Sequence, residues 1–296
     1  MDSEYSVVIA TRNRPDFLRT TLESLACQTL RPCMTVLADA SNRPSETRQV
    51  MESVPGLLYT HLCLEDRSAA RQRNAGAKPV STPFIAFLDD DVRLMPDVME
   101  RLVYSFVGPA NADTRGVAAR INKMEHRVPG FWLWLYYRIQ AGYSHPHYGG
   151  KLFGPGLNCL PCYLDKDPEK IPSDWLNSTC VMYRTALFRA VQFPEWDGYS
   201  FMEDVWLSAS IGKGGGLYFL KTACYEHYAA RGEHKEDARS LARMRICNQK
   251  KIAREILRLQ PLTLAWKMLL HRIFVSVLLL LQRGENWKEA WWGLWT

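Results

Sequence analysis

The stretch FIAFLDDDV, residues 84–92, decides the fold class. Its first five residues are apolar, as in a β-strand buried on both faces of a parallel sheet. Three consecutive carboxylates, those of Asp89, Asp90 and Asp91, follow at once. Adjacent acids repel one another, so such a cluster either binds a cation or forms an acidic turn that caps the next helix. Ligands of α/β sheets bind at the carboxyl ends of strands, which favours the cation.

Further strand and helix signals surround this stretch. Upstream of it, apolar runs alternate with helical patterns in the order 6–10, 15–25, 34–38, 45–51, 57–62 and 68–77. Downstream, a strand is predicted at 179–183, a helix at 202–212 and a strand at 217–220. Alternation of this kind predicts an α/β fold in which helices cover both faces of a mostly parallel sheet.

Polar side chains also stand at the other predicted strand ends. Thr11, Arg12 and Arg14 follow the first strand, and Asp39 follows the second. An aspartate in that position can accept a hydrogen bond from the imide of a nucleobase. These residues therefore suit a nucleotide site at the same edge of the sheet.

The predicted helix 68–77 adds Arg71, Arg73 and Asn74. Guanidinium groups form charge-assisted hydrogen bonds with a diphosphate or a base. Arginine on a helix is also commonly a solvated surface residue. Arg71 and Arg73 therefore indicate a ligand site only in combination with the polar residues at the strand ends.

Together these segments resemble the family 2 glycosyltransferases of the GT-A fold. The resemblance rests on SVVIATRNRPDFLRTTLESLACQT, VLADAS, RQRNAGA and FIAFLDDDV in that order, and it resumes at NSTCVMYR (177–184) and FMEDVWLSASIGKGG (201–215). It implies transfer of a sugar from a nucleoside diphosphate sugar, with a UDP-sugar favoured, to a hydroxyl group. It also implies inversion at the anomeric carbon and a requirement for Mn²⁺ or Mg²⁺.

The resemblance assigns roles to individual residues. Asp39 would bind the nucleobase, and the rest of the nucleotide-sugar site would comprise Thr11, Arg12, Arg14, Arg71, Arg73, Asn74, Asp89 and Asp90. The metal ligands would be Asp91, Asp89 and His227. Asp204, with Glu203 beside it, would be the catalytic base.

Two of these assignments compete with structural roles. An acceptor hydroxyl that attacks an anomeric carbon loses a proton, which a carboxylate within hydrogen-bond reach can take. Adjacent acids at the start of a helix, such as Glu203 and Asp204, also simply complement its dipole. His227 would suit a divalent cation, but a lone histidine is more often structural, and hard cations prefer oxygen ligands.

We predict a catalytic domain over 1–236, with the nucleotide-sugar half at 1–127 and the acceptor half at 128–236. The acceptor half contains an aromatic-rich insertion at 128–170, with a short amphipathic helix at 131–139. Its aromatic residues are either core or a surface that faces the acceptor or a lipid.

A helical C-terminal region is predicted over 237–296, with a basic helix at 239–259 and an apolar helix at 262–282. Lys267, His271 and Arg272 interrupt the apolar helix, and the remaining uncharged run is too short to span a bilayer. An interfacial or packing helix fits better. The terminal tryptophans suit a membrane interface. Expected partners are therefore an anionic membrane surface and a glycan, lipid-linked or polysaccharide acceptor of the cell envelope.

The net charge and the N-terminal sequence limit the possible partners and the location of the protein. The net charge of +6 fits a phosphate-bearing substrate, an anionic membrane or a partnerless basic surface, while the absence of a Lys/Arg run argues against nucleic acid. The N-terminus shows no secretory signal, so we expect a cytoplasmic protein, peripheral at the inner face of the plasma membrane.

Two other functions remain as alternatives. A nucleotidyltransferase would want a Gly-rich, Lys-bearing phosphate loop after the first strand, and the sequence TRNRP there is neither. A non-catalytic binding protein of the same fold is disfavoured by the intact acids at 89–91 and 203–204.

Overall fold

The structure, a computed structural model, describes residues 3–124, 126–196, 201–228, 237–284 and 286–296. It divides into two compact units. Unit 1 comprises Met1–Glu125 and Tyr163–Ala229, and unit 2 comprises His126–Cys162 and Ala230–Thr296. The structure thus groups most of the aromatic-rich insertion with the C-terminal helices. The predicted domain boundary at 236/237 adjoins residues 229–236, which lie outside the described residues.

Strands and helices alternate along the first third of the chain, and helices follow one another toward its C-terminal end. The strands are β1 (Tyr5–Thr11), β2 (Met34–Asp39), β3 (Tyr59–Cys63), β4 (Phe84–Asp89), β5 (Val92–Leu94), β6 (Gly116–Ile121), β7 (Leu152–Phe153), β8 (Leu157–Asn158), β9 (Lys170–Pro172), β10 (Cys180–Arg184) and β11 (Leu217–His227). The helices are α1 (Pro15–Ala26), α2 (Pro44–Ser53), α3 (Ala69–Ala77), α4 (Val98–Tyr104), α5 (Phe131–Ala141), α6 (Thr185–Val191), α7 (Glu203–Ile211), α8 (Ala238–Glu255), α9 (Pro261–Gln282) and α10 (Trp287–Trp295).

Unit 1 is built on a nine-stranded mixed sheet in the order β3-β2-β1-β4-β10-β6-β11-β5, with β9 paired to β11. Strands β3, β2, β1 and β4 are parallel neighbours, whereas β10 runs antiparallel to both β4 and β6. In this register Thr11 pairs with Asp39, and Ala10 pairs with Asp89. The carboxyl ends of β2, β1 and β4 therefore lie side by side at one edge, as predicted for the site.

The α/β prediction is confirmed, but β11 is longer than the strand predicted at 217–220. It pairs with β6 in parallel, shifts register between Phe219 and Cys224, and then pairs with β5 in antiparallel sense. Polar residues such as Lys221 and Thr222 interrupt its apolar pattern, so the second half carries no strand signal of its own. The three-residue β5 was not predicted for the same reason.

Helix α3 lies unusually close to the sheet. A Cβ atom added at Gly76 would stand 2.5 Å from Val8 Cγ1 and 3.4 Å from Ala38 Cβ, so only glycine allows this approach. The close contact presses α3 onto β1 and β2. It thereby fixes the height of Arg73 and Asn74 relative to the strand ends.

In unit 2, α5 packs against α9. The rings of Tyr136 and Phe274 stack with centroids 3.8 Å apart, and Tyr136 Oη lies 2.8 Å from His271 Nδ1. Gln140 donates from Nε2 to the Lys267 carbonyl at 3.0 Å. A small core of Ile246, Ala253, Leu264, Met268 and Leu294 joins α8, α9 and α10.

Among the described residues, α9 is the one helix long and apolar enough to cross a membrane by length and composition. Its most apolar window has a mean hydropathy of 1.8 and is 28% buried. Two of the residues that interrupt its apolar sequence, Lys267 and His271, are buried within unit 2.

Candidate active site

The first half of the site is the acidic cluster at the end of β4. The buried carboxylate of Asp90 accepts hydrogen bonds from Thr11 Oγ1 at 2.8 Å and from Arg14 Nη1 at 3.1 Å. Arg14 Nη1 also lies 3.7 Å from Asp91 Oδ2. Burial raises the pKa of Asp90 to about 6, although Arg14 and Thr11 oppose the shift. The structure thus joins the turn after β1 to the turn after β4.

Asp89, Asp91 and His227 form a second group. One ligand atom from each lies within 4.8 Å of the other two, and His227 Nε2 stands 3.2 Å from Asp91 Oδ1. The strand pairing explains this proximity, because His227 is opposite Val92 in the β11–β5 register and Tyr228 N donates to the Asp91 carbonyl at 3.0 Å. Two carboxylates and one imidazole are an acceptable ligand set for Mn²⁺ or Mg²⁺.

Arg73 connects the acidic cluster to the predicted catalytic acids. Its Nη2 lies 2.7 Å from Asp89 Oδ1, and its Nη1 lies 3.1 Å from Glu203 Oε1. The guanidinium is buried and also lies over the ring of Phe193, 5.3 Å from the centroid. A buried cation between two carboxylates offsets much of the cost of burying each of them.

Glu203 and Asp204 begin helix α7. Burial raises the pKa of Glu203 to about 8 and that of Asp204 to about 6; the proximity of the two carboxylates also raises the pKa of Glu203, and Arg73 opposes both shifts. Asp204 Oδ1 accepts from Val205 N at 2.8 Å, so the helix N-terminus favours its anion. The residue before the pair, Met202, has a left-handed φ of 68°, a conformation often found at functional sites.

Asp39, predicted to bind a nucleobase, is fully buried at the end of β2. Its Oδ1 accepts from Ser41 N at 2.8 Å, and its Oδ2 lies 2.9 Å from His61 Nε2. Burial alone would raise its pKa, but hydrogen bonds from Ser41, His61 and Thr47 lower it below the usual value. Asp39 is therefore an anion held in a fixed orientation.

The remaining predicted residues lie around this core. Arg71 Nη1 pairs with Asp66 Oδ2 at 2.8 Å, and its Nε lies 3.5 Å from Glu195 Oε2. Asn74 donates to the Phe193 carbonyl and to Glu195 Oε1, and it accepts from Phe193 N. Its side-chain oxygen and nitrogen are thus engaged in positioning the 193–195 segment. Arg12 is half-buried in the turn after β1.

Two residues of the site were missed from the sequence. His61 lies in β3, where side-chain alternation places it on the same face as the position paired with Asp39, so the strand register would have indicated it. Glu195 comes from a segment without a helix or strand pattern, and no sequence signal points to it. Its exposed carboxylate reaches both Arg71 and Asn74.

The sequence profile described as Glycosyl transferase family 2 matches residues 6–151. Two relatives are named validoxylamine A glucosyltransferase. The protein from Streptomyces hygroscopicus subsp. limoneus is 36% identical over 111 residues, which cover 36% of this chain and 24% of that protein. The protein from S. hygroscopicus subsp. jinggangensis is 37% identical over 112 residues, covering 36% and 26%. The chain thus spans about a quarter of the length of either relative.

Solved structures share the fold at low sequence identity. S. aureus TarS 1–349 superimposes with a TM-score of 0.54 and 16% identity, covering 96% of this chain and 74% of that one. The same protein in complex with UDP-GlcNAc superimposes with a TM-score of 0.54 and 18% identity, covering 92% of this chain and 72% of that one. GalNAc-T7 with UDP, GalNAc and Mn²⁺ superimposes with a TM-score of 0.58 and 17% identity, covering 81% of this chain and 48% of that one. The solved structures share the GT-A fold with this chain, and the profile match assigns residues 6–151 to glycosyltransferase family 2.

Proposed function

We propose that the chain is an inverting glycosyltransferase that moves a sugar from a UDP-sugar to a hydroxyl group of an acceptor. One observation carries the proposal: Arg73 bonds to Asp89 of the acidic cluster and to Glu203 of the acid pair at once. A donor diphosphate at the first group and an acceptor hydroxyl at the second would then be held side by side.

The donor half is supported by the edge formed by β2, β1 and β4. Asp39, held in orientation by Ser41 N, is the proposed acceptor for a base imide, and Arg14 is the cation nearest to Asp90 and Asp91 on the β1 side. TarS and GalNAc-T7 were crystallised with UDP or UDP-GlcNAc, and both curated relatives are named glucosyltransferases. UDP-glucose is therefore the first donor to test.

A divalent cation fits the group of Asp89, Asp91 and His227, whose ligand atoms lie within 4.8 Å of one another. When bound there, Mn²⁺ or Mg²⁺ would stabilise the negative charge that develops on the departing diphosphate. The two carboxylates would supply oxygen ligands, and Asp90 holds the turn between them in place through Thr11. GalNAc-T7 was crystallised with Mn²⁺.

The protein side of the chemistry is a proton transfer. As the acceptor oxygen bonds to the anomeric carbon and the bond to the diphosphate breaks, the hydroxyl proton passes to a carboxylate oxygen of Asp204. Glu203 is bound by Arg73 and therefore positions that guanidinium, whereas the carboxylate of Asp204 accepts a hydrogen bond from Val205 N, which favours its anion. A single displacement inverts the anomeric carbon.

We extend the proposal to a glycan, lipid-linked or polysaccharide acceptor, modified on the cytoplasmic side of the cell envelope. A site on unit 1 that offers a hydroxyl-activating carboxylate beside a diphosphate site suits any of these. The choice among them depends on the acceptor itself, which a donor assay leaves open.

The test is release of the nucleotide from a panel of UDP-, GDP- and dTDP-sugars by the full chain in the presence of Mn²⁺. We expect UDP release from one UDP-sugar, faster in the presence of acceptor glycans, and loss of this turnover in Asp204→Asn with donor binding retained. Retained turnover in Asp204→Asn would refute the assignment of the base. Absence of binding to every nucleotide, measured by thermal shift, would refute the proposed function.

A further inference from the structure

The outward face of α9 in unit 2 is a continuous apolar stripe. Six large hydrophobic residues spaced three or four apart are each between 45% and 85% exposed: Leu262, Trp266, Leu269, Ile273, Val277 and Leu280. On an α-helix these positions fall within roughly 80° of the circumference and extend over about 30 Å. Single exposed hydrophobic residues are ordinary, but a contiguous stripe of this length marks an interaction surface.

Indole side chains border one side of the stripe. Trp295 of α10 donates from Nε1 to Ser276 Oγ at 3.1 Å, and the guanidinium of Arg272 lies 5.6 Å from the centroid of its ring. Trp292, in the same helix, is 53% exposed. Indoles with one wet edge and one apolar face are the residues that settle at the interface between a membrane and water.

Helix α5 borders the other side. It runs antiparallel to α9, because Gln140 contacts Lys267 while Tyr136 contacts His271. Its first turn lies toward the C-terminal end of α9 and carries the two most exposed aromatic side chains among the described residues of unit 2, Phe131 at 66% and Trp132 at 78%.

The charge of the chain is concentrated in the same unit. Unit 2 contains 16 Lys and Arg residues against six Asp and Glu, a net charge of +10, so unit 1 carries −4 of the chain's total of +6. Exposed basic residues of α8 include Arg239, Arg243 and Arg254, and the exposed Arg258 follows the helix. An apolar stripe on a strongly basic unit is complementary to anionic lipid headgroups over an acyl layer.

We infer that unit 2 docks on an anionic membrane surface through the α9 stripe, with α9 lying in the plane of the interface. The inner face of α9 indicates whether this helix lies in the interface or crosses the membrane. Lys267 and His271 are buried there and bonded to α5, through the carbonyls of Ile139 and Gln140 and through Tyr136. A crossing α9 would carry both polar groups into hydrocarbon, whereas an interfacial α9 keeps them inside the unit.

A second copy of the chain is a poorer occupant of the stripe. Two copies that met through this face would bring together two units of +10 each, which repel. An anionic membrane attracts the same positive charge. Its affinity for the unit rises roughly tenfold for every one or two basic residues near the surface.

Vesicle flotation of the full chain tests the inference. We expect binding to vesicles that contain phosphatidylglycerol to be at least about tenfold tighter than to phosphatidylcholine alone. Release by alkaline carbonate should be complete. The double variant Leu269→Gln/Ile273→Gln should lose binding by about tenfold or more, since two apolar side chains no longer leave water. The matched control is Leu58→Gln/Tyr104→Gln, which alters two exposed hydrophobic residues of unit 1 and should bind as the parent chain does.

Four results would overturn the inference. The first two are that the chain fails to float with anionic vesicles, or that the stripe variant and its control lose binding equally. The other two are that the chain stays on the vesicles after the carbonate wash, or that it forms a soluble dimer which the stripe substitutions dissociate. Retention would point to a crossing helix, and the dimer to a second copy. UDP-sugar binding measured without vesicles distinguishes a failure of membrane docking from a failure of the proposed sugar transfer.

Discussion

The guanidinium of Arg73 lies 3.1 Å from Glu203, a residue 130 positions later in the chain. Both side chains are buried, and the pair joins helix α3 of the predicted nucleotide-sugar half to helix α7 of the predicted acceptor half. Removal of Arg73 would leave Glu203 without its partner in a low-dielectric site and would also deprive Asp89 of its partner.

Replacement of Arg73 by methionine should therefore lower the free energy of unfolding by about 3–5 kcal/mol, the usual cost of leaving buried charges without their partner. Urea denaturation measures the loss. In the double variant Arg73→Met/Glu203→Gln one of those charges is gone, so part of the stability should return. Strictly additive effects of the two substitutions would show that Arg73 and Glu203 do not interact energetically.

The substitution Asp204→Asn should lower kcat by a factor of about 100 or more while the donor KM changes little, because a general base acts only in the transition state. Glu203→Gln should have a smaller effect on kcat, since its proposed task is to hold Arg73. The comparison requires initial rates over a range of donor concentrations. A larger loss of kcat in Glu203→Gln would exchange the roles of the two acids.

The pH dependence of kcat should reflect the same pair. Burial raises the pKa of Asp204 to about 6, and only its ionised form can accept the hydroxyl proton. The rate should therefore rise as the pH increases through about 6, instead of reaching its plateau near the usual aspartate pKa. The residual rate of Asp204→Asn should lack this acidic limb, and an unchanged limb in that variant would exclude Asp204 as its source.

Asp91→Asn and His227→Gln should each weaken Mn²⁺ binding, the first more strongly, because the carboxylate is the harder ligand. Isothermal titration of the chain with Mn²⁺ in the presence of UDP measures the change. Glu52→Gln is a matched control, since it removes an exposed acid on α2 far along the chain from the cluster. Binding as tight in Asp91→Asn as in the control would refute the ligand assignment.

Unit 2 should lose stability in mild acid. Burial lowers the pKa of His271 to about 4, and the nearby cations Arg245 and Arg272 act in the same direction. The unfolded chain binds the proton near the ordinary pKa of 6.5, so the stabilisation is complete above that value and is lost as the pH falls toward 4. It amounts to at most about 3 kcal/mol. The difference in free energy of unfolding between the parent chain and His271→Gln, followed from pH 7 to 4, should show this slope.

Local patterns predicted strands β1, β2 and β4, whose carboxyl ends form the proposed donor edge of the sheet. The run at 84–88 is apolar and short, and acids follow it at once, so both the strand and the position of Asp89 could be inferred without knowledge of any other element. The family resemblance then supplied Asp204 and His227 as candidates. The ligand and base roles of these residues stay predictions.

Partnerships between distant segments could not be predicted. Arg73 was expected to contact the donor, and its bond to Glu203 joins two helices that are far apart in the sequence. The bond between His61 and Asp39 depends on the β2–β3 register, which composition does not specify. Glu195 lies in a segment that has no periodicity, so it became visible only through its contacts with Asn74 and Arg71.

The position of His227 depends more on the length of strand β11 than on its composition. Its second half aligns with β5 residue by residue, and side chains alternate between the two faces of a sheet. A single residue inserted after Cys224 would turn His227 away from Asp91, whereas many substitutions at exposed positions of the strand would leave that alignment intact. Among descendants of this sequence, changes in chain length should therefore accumulate before Leu217, and drift within 217–227 should consist of replacements alone.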